Sequence, residues 1–290
     1  MRIEFLGTGG AIPTPRPGCH CRVCEPARRY GVPHARMGPS LFVHGPDVLI
    51  DTPEESRLQL NRAGIDHVTA VLYSHWHPDH TMGRRVWETM NMDWRGWPQA
   101  PKTVQVYLPE QVAKDFEERL GLGEHFAFMR SHGTVDIHVI PEGESITVGD
   151  VRITPIPLAE SYVYAFLFEE GNTRVLIAMD ELFGWTPPAE LTGVDLAILP
   201  TGVFEFDFFT GERRIPKEHP VLASEATFRQ TLEMVRALRP RRLIFTHIEE
   251  PDGNTVEDLE RIAHALWQRE GWDISFAYDT MMVSDIDGRH

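Results

Sequence analysis

Three imidazoles and a carboxylate fall within six residues at His75-Trp76-His77-Pro78-Asp79-His80. Histidine is the commonest ligand for zinc-like ions, and His-x-His places two imidazoles on one side of an extended segment. Asp79 and His80, adjacent in sequence, can diverge toward a second ion. A solvated loop with idle histidines would explain one such residue, but four potential ligands in this order point to a metal site. A second group has different chemistry. Cys19-His20-Cys21-Arg22-Val23-Cys24 brings three thiols together, and a fourth ligand from elsewhere would complete a tetrahedral structural zinc site.

These residues need elements to hold them. The run Val68-Thr69-Ala70-Val71-Leu72-Tyr73 is short, β-branched and aromatic-rich, which reads as a buried strand. Pro78 excludes a regular helix through the motif, so the four ligands are expected on a loop at the strand's C-terminal end. That is the usual place for a site in an α/β sheet. Residues 2–6 form a first strand running into Gly7-Thr8-Gly9-Gly10, which lacks the Gly-Lys-Ser/Thr of a nucleotide loop. Residues 11–39 carry six prolines and read as a long loop in need of a tether, which the cysteines supply. Strands over 41–44 and 48–51 pair around Gly45-Pro46-Asp47. Residues 81–101, with Arg84, Arg85, Trp87, Trp94 and Trp97, fit either a rim that meets an anionic substrate or a core helix followed by a packed loop. A second strand-rich half begins near Ser145 and closes with helices over 223–238 and 256–268 and strands over 274–278 and 281–283. Two strand-rich halves, each with helices, suit an α/β four-layer αββα sandwich better than one doubly wound sheet. No linker divides them, so residues 1–290 read as one domain.

Composition narrows the function. The formal charge of −15 opposes nucleic acid and anionic membranes at long range. No apolar run approaches the roughly twenty residues of a membrane span, and Met1-Arg2-Ile3-Glu4-Phe5-Leu6 reads as a strand rather than a signal peptide. All three cysteines lie between positions 19 and 24. A clustered, odd set is no disulfide framework, so it points to metal binding in a reducing cytoplasm.

The sequence His75-x-His77-x-Asp79-His80 resembles the signature of the metallo-β-lactamase superfamily. The cysteine triplet narrows the resemblance to phosphoribosyl cyclic phosphodiesterases of phosphonate breakdown, which carry it in the same loop. The resemblance implies that Asp51 braces the metal loop. It implies that Asp180, ending Leu176-Ile177-Ala178-Met179-Asp180, bridges two ions, and that His247, ending Leu243-Ile244-Phe245-Thr246-His247, completes the second. Relatives carry a third histidine where this chain has Glu160, and no histidine occurs between 139 and 218. A carboxylate there hardens the site toward manganese or iron. The ligand sets implied are His75, His77, Glu160 and Asp180 for one ion, and Asp79, His80, Asp180 and His247 for the other. The cofactors expected are two divalent ions, zinc or manganese with iron a further option, and one structural zinc at the cysteines.

Two ions sharing a carboxylate polarise a bridging hydroxide that attacks phosphorus, with Asp79 orienting the nucleophile. A histidine ahead of the penultimate helix protonates the leaving group in the relatives. Here His219 precedes that helix, although counting back from His247 the aligned residue is Glu225. The fourth zinc ligand of the relatives lies three residues past the last active-site histidine, which here is Glu250, with His219 and His34 as alternatives. The function expected is hydrolysis of a small or cyclic phosphodiester. Other readings are a tRNA 3′-processing endonuclease, opposed by the acidic balance and the absence of a basic arm, and a non-catalytic metal-dependent accessory protein, favoured by the missing third histidine. The aromatic stretch Phe204-Glu205-Phe206-Asp207-Phe208-Phe209 could wall a pocket or form a homodimer contact.

Overall fold

The computed structural model describes residues 1–96, 102–284 and 286. Two seven-stranded sheets organise it. The first contains β1 (Arg2–Gly7), β2 (Ser40–His44), β3 (Val48–Ile50), β4 (Ala70–Leu72), β5 (Val104–Pro109), β6 (Val135–Ile140) and β14 (Met282–Val283), in the order β14-β1-β2-β3-β4-β5-β6. The second contains β7 (Ile146–Val148), β8 (Val151–Pro157), β9 (Tyr164–Glu170), β10 (Thr173–Ile177), β11 (Leu196–Pro200), β12 (Arg242–Thr246) and β13 (Asp273–Phe276), in the order β13-β12-β11-β10-β9-β8-β7.

Side chains alternate across each strand, and here both faces are covered, so the central strands are apolar throughout. Ile3 and Phe5 of β1, Ala70 and Leu72 of β4, and Phe166 and Phe168 of β9 meet in the core between the sheets. Their neighbours Leu6 and Val71 face the opposite way, onto helices α2 (Ser56–Ala63), α4 (Val86–Asn91), α5 (Glu110–Glu118) and α6 (Gly123–Ser131). Ala165 and Leu167 face α7 (Phe228–Leu238) and α8 (Val256–Glu270) on the far side. The layers are therefore helix, sheet, sheet, helix: the expected αββα sandwich.

Several local expectations change. The loop over 11–39 contains a helix, α1 (Cys24–Tyr30), which Cys24 opens. Pro78 does not keep the metal motif out of a helix. It occupies the first position of the short helix α3 (Pro78–Thr81), where its missing N–H costs nothing, and so Asp79 and His80 stand on a helical turn. The penultimate helix starts at Phe228 rather than 223, because Thr227 and Gln230 form a capping box. A 3-10 turn over Pro220–Ala223 precedes it. Trp87 is fully buried and donates to the Tyr73 hydroxyl at 3.1 Å, which makes the start of 81–101 core. Trp94 is exposed, and Trp97 lies outside the described residues.

Candidate metal centre

The candidate ligands stand at the C-terminal ends of parallel strands. β3 pairs with β4 and β10 with β11 and then β12, all parallel, which brings 75–80, 180–181 and 247 to one edge of the sandwich. His75, His77, Asp180 and Glu181 offer ligand atoms that all lie within 4.8 Å of one another, and so do Asp79, His80, Asp180 and His247. Asp180 is common to both. Its Oδ2 faces Nε2 of His247 at 3.5 Å and of His75 and His80 at 3.7 Å. Nε2 of His247 and His80 also face Asp79 Oδ2, at 3.6 and 3.3 Å.

Glu160 corrects the sequence reading. It is exposed in the turn after β8 and absent from the cluster. Glu181 takes the place: it is buried, with Oε1 3.1 Å from His77 Nδ1 and Oε2 accepting from the Tyr162 hydroxyl at 2.6 Å. The signal was present in the adjacent pair Asp180-Glu181. What hid it is backbone conformation, because Glu181 adopts φ 51°, rare for a residue with a Cβ, and turns in beside Asp180. Asp51 and His247, at φ 60° and 51°, share that conformation, so three strained positions, each costing on the order of 1–3 kcal/mol, meet at one site.

Asp51 orients the ligands. It accepts from the Ser74 N–H and hydroxyl, each at 2.7 Å, and from His80 Nδ1 at 2.8 Å. His80 Nε2 is thereby the nitrogen directed at the site, available as a ligand once its proton is lost. Ser74 Oγ, donating to Asp51, accepts from His75 Nδ1 at 3.0 Å, with the same consequence for His75.

The donor set fits divalent ions. Nε2 of His75, His80 and His247 and Oδ2 of Asp79 are buried without a hydrogen-bond partner among the described residues, an arrangement that is costly unless something else satisfies them. Burial drives His75 well below the ordinary histidine range, which keeps it neutral as a ligand. Burial acts on His247 and His80 in the same direction but is overcome by carboxylates: Asp180 and Asp79 raise His247 to about 9, and Asp79 and Asp51 raise His80 well above normal. Burial and then the Asp180 charge push Glu181 up to about 7. Protons thus gather where positive charge is wanted.

The cysteines form a second donor set. Glu250 Oε1 lies 3.1, 3.0 and 3.1 Å from the sulfurs of Cys19, Cys21 and Cys24, and these four residues form one compact group. His219 and His34 are not in it. Burial and then Glu250 push the Cys24 thiol up to about 12; a cation among the four donors would reverse that. Arg16 Nε pairs with the outer oxygen of Glu250 at 3.2 Å.

Beside the histidines and carboxylates opens a cavity of about 630 Å³, whose walls include Phe204, Arg214, His219 and Glu225. His219 is exposed, and its Nδ1 accepts from the Val221 N–H at 3.2 Å. Burial, with Asp180 and Glu181 nearby, pushes Glu225 up to about 8. Arg84 and Arg85 do not line the cavity, and Arg84 donates to the Thr81 carbonyl at 3.2 Å. Of the aromatic stretch, Phe204 lines the cavity, while Arg213 and Arg229 stack on Phe206 at 4.4 and 4.1 Å.

Comparison with known proteins agrees with this architecture. The chain is similar to a ribonuclease Z from Gemmatimonas aurantiaca, 23% identical over 96% of both chains. It is also similar to an octanoyltransferase from Porphyromonas gingivalis, 25% identical over 90% of this chain, which spans about half (48%) of that relative's length. A diphosphatase from the PhnP family superposes with TM-score 0.71 at 24% identity, covering 98% of this chain and 97% of the other. Zinc-bound PqqB from Methylobacterium extorquens superposes with TM-score 0.68 at 16% identity, covering 98% and 100%. No described helix is long and apolar enough to cross a membrane. Residues 45–248 match the family described as the beta-lactamase superfamily domain, and the chain belongs to that superfamily.

Proposed function

We propose that this chain is a dinuclear metal-dependent hydrolase that cleaves a small phosphodiester. The observation that carries the reading is the pair of four-donor groups sharing Asp180 at the mouth of the cavity. His75, His77, Asp180 and Glu181 would hold one divalent ion, and Asp79, His80, Asp180 and His247 the other. Such ions, zinc, manganese or iron, act as Lewis acids on a phosphoryl oxygen and lower the pKa of water. The two carboxylates in the first group favour the harder ions.

The protein's own groups do the rest. Asp79 Oδ2, buried and without a hydrogen-bond partner among the described residues, orients the attacking water. His219, as the imidazolium, would give its Nε2 proton to the leaving oxygen, and the neutral ring left behind accepts the Val221 N–H at Nδ1. Cys19, Cys21, Cys24 and Glu250 hold a structural zinc that fastens the loop over 11–39, and free thiols of this kind suit a reducing cytoplasm.

Similarity to a ribonuclease Z supports phosphodiester cleavage, and similarity to a PhnP-family diphosphatase supports a phosphate substrate. The charge of −15 favours a small substrate over RNA. Metal analysis of the purified protein, followed by turnover of bis(p-nitrophenyl) phosphate and of a precursor tRNA at near-physiological salt, tests the reading. Two active-site ions and metal-dependent cleavage of the small diester are expected. Faster cleavage of the tRNA, or no diester turnover with full metal, would overturn it.

A further inference from the structure

The cavity beside the ligands is larger than a reacting phosphate requires: about 630 Å³ accommodates a substantial organic substituent. Beyond the ligands its walls are mainly apolar, from Ile12, Leu182, Val203, Phe204, Ile215 and Val221. Its charges are one-sided. Among the described residues, Arg214 is the one lysine or arginine in the wall, and its guanidinium is already committed. Nη1 donates to the Asp252 carbonyl and to Asn254 Oδ1, each at 2.8 Å, and Nη2 pairs with Asp207.

Three carboxylates that ligate nothing in this reading also line the cavity. Asp252 is buried and accepts from the Phe204 N–H at 2.9 Å. Glu249 is satisfied by the N–H groups of Ala11 and Ile12, at 2.9 and 3.0 Å. Glu225 is half-buried, and among the described residues its carboxyl has no hydrogen-bonded partner. Two divalent ions would bring four positive charges against the three ligand carboxylates Asp79, Asp180 and Glu181. The reacting phosphate cancels the surplus. A second anionic group on the substrate would meet Glu225 and Glu249 with no free lysine or arginine among the described wall residues to pair it, a poor exchange for its hydration. Glu225 offers no positive charge in either protonation state.

We infer that the substrate is a diester whose only negative charge is the reacting phosphate and whose remaining substituent is apolar, with a hydroxyl or amide donor for Glu225. This rests on the phosphodiesterase reading and narrows it: phosphorylated sugars, nucleoside diphosphates and oligonucleotides are excluded.

The test has two arms. In the first, kcat/KM is compared between hexyl p-nitrophenyl phosphate and the same diester ending in a carboxylate, for the wild type, Glu225→Gln and Glu225→Lys. The neutral substrate should be favoured at least tenfold, and Glu225→Lys should narrow that ratio more than Glu225→Gln. Equal or faster turnover of the carboxylate compound by the wild type would overturn the inference. The second arm is calorimetric binding of monoalkyl phosphonates of increasing length to the metal-loaded protein, which does not depend on turnover. Affinity should rise about twofold to fourfold per methylene. Flat affinity, or tighter binding of a bisphosphonate of the same length through a second contact away from the ions, would overturn the inference. Absence of any diester turnover together with length-dependent binding would sink the phosphodiesterase reading while upholding the apolar pocket.

Discussion

Glu160 and Glu181 compete, on sequence, for one ligand position, and burial separates them. Glu181→Ala should lower occupancy of the first site and activity together, whereas Glu160→Ala should leave metal content and rate within error, measured by elemental analysis and diester turnover. His219→Ala should cost about 100-fold or more in rate, as loss of a general acid does, with all metals retained. Proton counting gives a further expectation. In the metal-free protein, carboxylates hold His247 at about 9 and raise His80 in the same direction, so ring protons are retained at neutral pH. A ligating imidazole must be neutral, so ion binding has to expel them. Calorimetric titration in buffers of different ionisation enthalpy should record proton release near pH 7, and affinity should weaken as pH falls. His75, His77, Asp79, His80, Asp180 and His247 were all legible because they stand in short motifs at strand ends. Glu181 was not, because its inward turn depends on a positive φ that no composition pattern announces.

Elements were legible to the extent that burial dictated their pattern. The strands of both sheets were readable because alternating or continuous apolar runs have few alternative folds. Helix starts were less so: Pro78 was read as a breaker when it is an initiator, and Thr227 set a boundary that apolar spacing alone extends too far. The metal loop also depends on close backbone contact between elements. Gly83, in the 3-10 turn Met82–Arg85, donates its N–H to the Thr52 carbonyl at 2.8 Å. A Cβ there would lie 1.9 Å from the Pro53 carbonyl oxygen. Backbone on both sides leaves nothing free to yield, so Gly83→Ala should cost about 1–3 kcal/mol or more. Thermal unfolding should register this as a drop of several degrees, with weaker metal retention because the turn directly follows α3. Trp87, by contrast, was ambiguous between rim and core on sequence, and only the partner hydroxyl of Tyr73 decides it.

At the scale of the whole molecule, two sheets converge on one polar edge, and the ions are expected to hold that edge together. A ligand that binds only the folded chain stabilises by about 2.7 kcal/mol at one hundred times its dissociation constant. Exhaustive chelation should therefore lower the melting temperature, and restoring zinc or manganese should recover it. Cys21→Ser should remove one zinc per chain and lower melting while leaving the two active-site ions in place. Glu250→Ala should reproduce this, and His34→Ala should not. The four-layer arrangement was legible because two strand-rich halves with helices leave little else to build. The cavity was not, since its walls come from loops near 12, 182, 203 and 215 that only the finished fold brings together.

The thiol group has a consequence for how the chain reaches this state. Its sulfurs and the Glu250 carboxylate are separated by 231, 229 and 226 residues, and Glu250 lies just past β12, an inner strand of the second sheet. Contacts this distant in sequence form late, after loop-closure entropy has been met by nearer pairings. The three cysteines therefore wait for more than two hundred further residues before their fourth partner exists. If this group holds the structural zinc proposed above, acquisition of the ion would follow the placement of β12, and a nascent chain released short of β12 would expose unfilled thiols to the cell's oxidants and to its quality control.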